Sequence, residues 1–303
     1  MSSVNYTAQS VARDVLPSKA PPGRVSSATL LRGGVLVLLI GWLYGGILTH
    51  LMAQWWRDPN FSHGFLVPVF SLFVLWRDRA RISKIPSAAS SWGLLVISFA
   101  LCILLAGVLG AELFLSRISL LVLLAGLVVF FRGWPRFRAV LFPWAFLFLM
   151  IPIPAIIFNQ ITFPLQLLAS KLAASTLPLL GVPVLREGNI INLPALPLEV
   201  AEACSGIRSL LSLATLSIVY GYLMESRISI RILLALASIP IAVVANSLRI
   251  VGTGLLVQYW GQDAAEGFFH VFSGWLVFVV SLILLFAVHQ LFVLIAPPVE
   301  ENP

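Results

Sequence analysis

The sequence predicts an all-α integral membrane protein of about eight transmembrane helices, and three observations carry that prediction. First, 59% of the 303 residues are hydrophobic and only 10% are charged, with a mean hydropathy of +1.00. Soluble domains carry about 25% charged residues, and a soluble chain this poor in charge could not cover its surface. Second, the apolar residues fall into runs of bilayer-spanning length rather than one large core. Third, basic residues gather in the short segments between those runs, as the positive-inside rule requires. The net charge of +7 therefore reports membrane topology, and no nucleic-acid partner is expected.

Taken in order, residues 1–32 are polar, hold Pro17, Pro21 and Pro22, and read as a disordered cytoplasmic tail. The apolar run that follows lacks a small-residue cleavage site and reads as a retained anchor. Residues 33–296 form the polytopic membrane domain, with spans expected at 33–53, 61–76, 92–110, 114–131, 139–158, 204–224, 232–259 and 275–296. Residues 297–303 remain as a short C-terminal tail. The second span is short for a bilayer of roughly 30 Å.

Loop charges orient the spans. Arg77, Arg79, Arg81 and Lys84 follow span two, Arg132, Arg136 and Arg138 follow span four, and Arg227 and Arg231 follow span six. Together with the tail they fall on one side, which the charge rule makes cytoplasmic, so both termini are expected there. Residues 159–181 are nearly long enough to span, but Gln160, Gln166, Lys171, Ser175 and Thr176 interrupt them. Ile161, Leu165, Leu168 and Leu172 recur at helical spacing, which suits an outer helix lying in the interface. Residues 182–200 read as extended, with a turn at Glu187-Gly188-Asn189. The outer loop 159–203 is expected to help form the substrate site.

Unusual residues collect at the outer boundary. Cys204 sits at the mouth of span six in Glu202-Ala203-Cys204-Ser205-Gly206-Ile207-Arg208. Arg249 lies in span seven, three residues after Asn246. At ~1.5 Å per residue from Arg231, it stands roughly 27 Å up the helix. His270 lies in the outer loop just before span eight. Three helices thus bring a thiol, a guanidinium and an imidazole to one membrane depth.

Each has a plainer reading. Buried cysteine is commonly a small hydrophobe, and Cys102, inside the Leu/Ile-rich third span, is read that way. Cys204 differs because charged and polar neighbours surround it at a helix entrance, where a helix N-terminus and cations lower a thiol pKa. Arg249 could snorkel to headgroups, yet Asn246 one turn earlier fits a polar pocket better. Arg117, beside Glu112 at the start of span four, reads as an interfacial anchor. A lone histidine is commonly an interface residue, but a Cys–His pair can pass a proton from thiol to leaving amine, and Arg249 can supply donors to an oxyanion. His63, in Ser62-His63-Gly64, is the rival base, and Ser205 the rival nucleophile without a GxSxG or SxxK pattern. Two cysteines exclude a disulfide framework, and the four histidines show no HExxH spacing, so neither metal nor cofactor is expected.

At these residues the chain resembles the exosortase/archaeosortase family. The matching pieces are EACSGIRSL around Cys204, NSLRI around Arg249, HVFSGW at His270 and SHGFLVP at residues 62–68, within a likeness covering about 35–296. The resemblance implies a bacterial inner-membrane cysteine protease or transpeptidase with its active site facing the periplasm. Its partners would be membrane-anchored proteins bearing a C-terminal sorting signal, typically a Pro-Glu-Pro-like (PEP-CTERM) motif, a transmembrane helix and a basic cluster. By the same resemblance Cys204 is the nucleophile, His270 the general acid/base and Arg249 the stabiliser of the carbonyl or oxyanion. Glu202, Arg208, Asn246 and His63 are candidates for supporting them. Many relatives accompany exopolysaccharide biosynthesis.

Other classes stay open on the residues alone. A transporter or flippase subunit would have Arg249 lining an anion pathway and Cys204 dispensable. A membrane acyltransferase would share an acyl-cysteine but need no peptide groove. A non-catalytic assembly subunit is the third.

Overall fold

The structure is a computed structural model that describes residues 27–200, 206–261 and 268–295. The chain divides into two compact units, one ending at Gly46 and one beginning at Ile47. Among the described residues, eight helices are long and apolar enough to cross a membrane.

Helix α1 (Ser27–Arg57) begins in the first unit and ends in the second. A 3-10 turn (Pro59–Phe65), capped by the Asp58 side chain accepting from the Asn60 amide at 2.9 Å, leads into α2 (Leu66–Arg77) and the short basic α3 (Arg79–Lys84). The short second span is thereby lengthened to 19 residues, Pro59–Arg77. Helices α4 (Trp92–Leu109) and α5 (Leu113–Arg132) form an antiparallel hairpin. Their backbones approach closely because Gly93, Gly107 and Gly126 sit at the contact, where any Cβ would clash with the facing helix. Arg117, expected as an interfacial anchor beside Glu112, is buried on α5 at 4% exposure.

The expected fifth span at 139–158 is not one helix. It is built from α6 (Trp134–Ala139), α7 (Leu141–Phe146) and a 3-10 turn (Leu147–Met150), followed by an extended break at Ile151. The physical reason is proline: Pro152 and Pro154 lack amide protons and push the residues before them out of helical backbone. The chain still runs from one end of the second unit to the other. Arg136 Nε donates to the Ile85 carbonyl at 3.0 Å, while Met150 accepts from Trp55 Nε1 at 2.8 Å and Leu149 contacts His63.

Helix α8 (Ala155–Thr176) and its 3-10 extension (Leu177–Leu180) take the residues expected to lie in the interface. By length and composition alone α8 could cross a membrane, but its packing places both ends near one end of the bundle. The Phe158 ring packs tilted against Phe61 at 5.6 Å and shares a core with Ile207, while Ala173 and Leu177 pack with Ile250, Val251 and Val257. Strands β1 (Leu185–Glu187), β2 (Ile190–Asn192) and β3 (Pro197–Glu199) then form an antiparallel sheet in the order β1-β2-β3. The expected turn at Glu187-Gly188-Asn189 joins β1 to β2, with Gly188 at φ +63°. Helices α9 (Ile207–Met224), α10 (Ile228–Trp260) and α11 (Phe268–Ile295) complete the second unit.

The basic loops meet at the opposite end. Tyr222 donates to Asp78 Oδ2 at 3.2 Å, and Arg77 and Arg231 lie over its ring at 4.8 and 4.9 Å. The Ala88 amide donates to the Arg132 carbonyl at 3.2 Å. Glu225, only 7% exposed, accepts from the Arg227 guanidinium at 3.1 and 3.0 Å, and its Oε2 lies 3.7 Å from His289 on α11. Hydrogen bonding from Arg227 outweighs burial and holds the Glu225 carboxyl down at about 2. The three basic loops grouped by the sequence are therefore one physical end of the second unit.

Candidate active site

The end opposite the basic loops holds the described candidates His63, Arg208, Asn246 and Arg249. The β-sheet packs on α8 and α10 through Ile191, Leu193 and Val200. The Ser170 hydroxyl donates to the Gly188 carbonyl at 3.1 Å, and the Ala195 amide donates to Gln258 Oε1 at 3.2 Å. At the end of the sheet, Val200 exchanges two hydrogen bonds with Asn189: its amide donates to the Asn189 carbonyl at 2.9 Å, and its carbonyl accepts from Asn189 Nδ2 at 3.2 Å. These contacts fix where the chain leaves the sheet.

Six residues after Val200, Gly206 opens α9, with φ +79°. A Cβ there would stand 2.9 Å from Asn246 Cγ, so glycine is required both by the left-handed backbone and by the approach to α10. Asn246 itself is buried at 2% exposure. The N-terminus of α9 is thus seated against α10 just past the midpoint of that helix. Cys204 and Glu202 fall between these two fixed points in sequence and lie outside the described residues. His270 lies in the first turn of α11, one turn before Gly274; its side chain is outside the described part.

A cavity of about 390 Å³ lies between α9, α10 and α11. Its walls bring together Gly206 and Arg208 of the α9 entrance, Asn246 and Arg249 of α10, and Gly274 and Trp275 of α11. Arg249 is half-buried, on a helix that carries no other charge between Arg231 and Trp260. Arg208 is exposed and stands on the rim. Within the described residues the cavity holds two guanidinium groups and no carboxylate, which suits stabilisation of an oxyanion or a carboxylate.

His63 takes a neighbouring position. It lines a second, mainly apolar cavity of about 510 Å³ that shares Ser62, Ser212 and Phe278 with the first. Its Nε2 lies 3.2 Å from the Leu149 carbonyl, which can only accept, so Nε2 carries the proton. Nδ1 is buried without a hydrogen-bond partner. This histidine is held by α7's 3-10 extension and is directed at the apolar cavity. Cys102 stands midway along α4 on an exposed face, away from both cavities, and is a free thiol.

Sequence reading missed Ser209, Ser212, Trp275 and Phe278 as lining residues. Arg208, Ser212 and Thr215 follow one another at helical spacing, so a polar stripe on α9 was available as a signal. Nothing comparable marks Trp275 and Phe278, which resemble any lipid-facing aromatics until α11 is docked. Among the described residues no cluster of histidine, cysteine and carboxylate side chains could hold a metal ion.

Against known proteins, a family model described as transmembrane exosortase matches residues 55–287. No curated protein and no solved structure matches the chain.

Proposed function

The chain belongs to the transmembrane exosortase family, and from that premise we propose a membrane-embedded cysteine protease or transpeptidase that cleaves C-terminal sorting signals of exported proteins. Family membership supports a membrane protease or transpeptidase role in general; the substrate, the catalytic residues and the side of the membrane are the proposal. The active site would face the periplasm from a bacterial inner membrane, in the service of exopolysaccharide or surface-protein export.

The observation that carries this reading is the 390 Å³ cavity, whose wall includes Arg249, Gly206 two residues after Cys204, and Gly274 one turn after His270. Cys204 precedes the N-terminus of α9, where the helix dipole and the two arginines favour thiolate over thiol. In the proposed reaction His270 takes the Cys204 thiol proton, and the thiolate sulfur attacks the scissile carbonyl. Arg249 donates to the oxyanion as it forms. Collapse of the intermediate breaks the peptide bond, His270 returns the proton to the leaving amine, and a thioester remains on Cys204. An amine, another acceptor or water then takes the acyl group. Asn246 would position Cys204 by seating Gly206, and the adjoining apolar cavity suits a substrate presented from within the bilayer.

The test is co-expression with a membrane-anchored reporter carrying a Pro-Glu-Pro, helix and basic-cluster signal. Wild type should convert the reporter to a shorter or transferred form, and Cys204→Ala at matched membrane levels should leave it intact. Undiminished conversion by Cys204→Ala would overturn the thioester mechanism and favour a transport or assembly role.

A further inference from the structure

We propose that a cleft at the basic end of the second unit binds an acidic diacyl phospholipid from the surrounding bilayer. The cleft has a volume of about 820 Å³ and runs between α2, α5 and the α6–α7 segment, from arginines at the basic end towards Met150. Its body is apolar, walled by residues such as Leu75, Leu124, Leu127 and Leu147. Leu72 on its lip is 66% exposed, so the cleft opens where lipid chains run.

The rim differs in kind. Arg79, Arg132 and Arg136 stand at the basic end of the cleft, which has no carboxylate on its wall. Arg77, Arg81 and Arg227 all pair with Asp78 or Glu225, whereas the three rim arginines have no carboxylate within ion-pair distance among the described residues. Arg79 and Arg136 are held by contacts that do not neutralise them. Arg79 Nη1 donates to the Trp76 carbonyl at 2.7 Å and lies 4.5 Å over the Trp76 ring, and Arg136 Nε donates to the Ile85 carbonyl at 3.0 Å.

A phospholipid of net negative charge satisfies both halves of this arrangement. Its phosphate meets planar guanidinium donors, and an acyl chain fills the cleft beside α2, whose 12 residues run roughly 18 Å at ~1.5 Å each. Basic pockets between membrane helices are suited to acidic headgroups in this way. Free phosphate would leave the apolar body empty, a zwitterionic lipid would bring an ammonium beside three arginines, and a basic peptide segment would be repelled. The proposal is independent of the catalytic reading.

The test extracts the full-length protein from bilayers of equal parts phosphatidylglycerol and phosphatidylcholine and identifies retained lipid by native mass spectrometry. Wild type should retain phosphatidylglycerol over phosphatidylcholine by about tenfold or more, given the gain from several arginines. The pair Arg132→Gln with Arg136→Gln should abolish the preference. Leu127→Trp, which blocks the body and leaves every charge in place, should reduce the lipid retained; it and the wild-type comparison decide the matter if the arginine pair fails to insert. Equal retention of both lipids by wild type would overturn the proposal, as would a preference that Leu127→Trp leaves unchanged. Complete displacement by millimolar inorganic phosphate would reassign the rim to a simple anion site and overturn it too.

Discussion

Arg249 shows how much of the site depends on side-chain geometry rather than charge. It lies in a helix whose other residues from Ile232 to Trp260 are uncharged, and it lines the same cavity as Asn246 and Gly206. A point charge at this depth could be met by lysine, but paired donation to one oxygen could not, because lysine lacks the planar fork. Arg249→Lys is therefore expected to lower signal processing by about 10² to 10³, the usual cost of one oxyanion donor. Processing of the co-expressed reporter, at matched protein levels, is the measurement. Near wild-type conversion by the lysine variant would remove Arg249 from the mechanism and leave it as a membrane anchor. Asn246 and Gly206 support the same site differently: glycine is fixed by φ +79° and by the 2.9 Å approach to Asn246 Cγ, so the contact is backbone against side chain.

Among the elements, the loop between α9 and α10 carries the most concentrated polar bonding. Glu225 accepts from the Ser226 amide at 2.8 Å, from the Arg227 amide at 3.0 Å and from the Arg227 guanidinium, while its own carbonyl accepts from Arg231 Nε at 2.7 Å. A carboxyl depressed to about 2 binds its proton more readily in the unfolded chain. Its stabilisation is present above the ordinary carboxyl value near 4.5 and fades as pH falls through about 2. Thermal unfolding in detergent should accordingly become easier between roughly pH 4.5 and 2. Glu225→Gln should lower the melting temperature by a few degrees at neutral pH, from loss of charge-assisted bonds. That difference should shrink as the acid limit is approached. A pH-independent gap between wild type and variant would show that the loop is held by something other than this carboxylate.

Across the second unit, the ends are chemically unlike. One end joins the loops after α2, α5 and α9 through Tyr222–Asp78, Arg136–Ile85 and Ala88–Arg132 contacts. The other holds the 3-10 turn Pro59–Phe65, the β-sheet and the cavity lined by Arg249. The positive-inside rule assigns the first end to the cytoplasm. Reporter fusions after residues 200 and 265 should then score periplasmic, and one after 228 cytoplasmic. If α8 instead crossed the bilayer, the fusion after 228 would score periplasmic, and the arginine-rich loops would be split between the two faces.

Composition, the length of the apolar runs and the loop charges determined a multi-span helical membrane protein and the grouping of its basic loops. Both follow from the cost of exposing backbone and charge to lipid, which local sequence already encodes. The turn at Glu187-Gly188-Asn189 was legible for the same local reason, since a turn needs a glycine-compatible backbone. Arg249 and Asn246 were legible as polar groups out of place in an apolar run and Arg208 as part of a polar helix entrance, and the three line one cavity. Tertiary packing decided what periodicity could not. It turned α8 along the end opposite the basic loops by seating Phe158 on Phe61 and Leu177 near Gly254. It also buried Arg117 and separated His63 from the arginine-lined cavity by directing it to the apolar one next door. In a chain that is 59% hydrophobic, apolar side chains facing lipid and apolar side chains facing protein look alike in sequence. Only the docking of one helix on another distinguishes a lipid-facing Phe278 from one that closes a site.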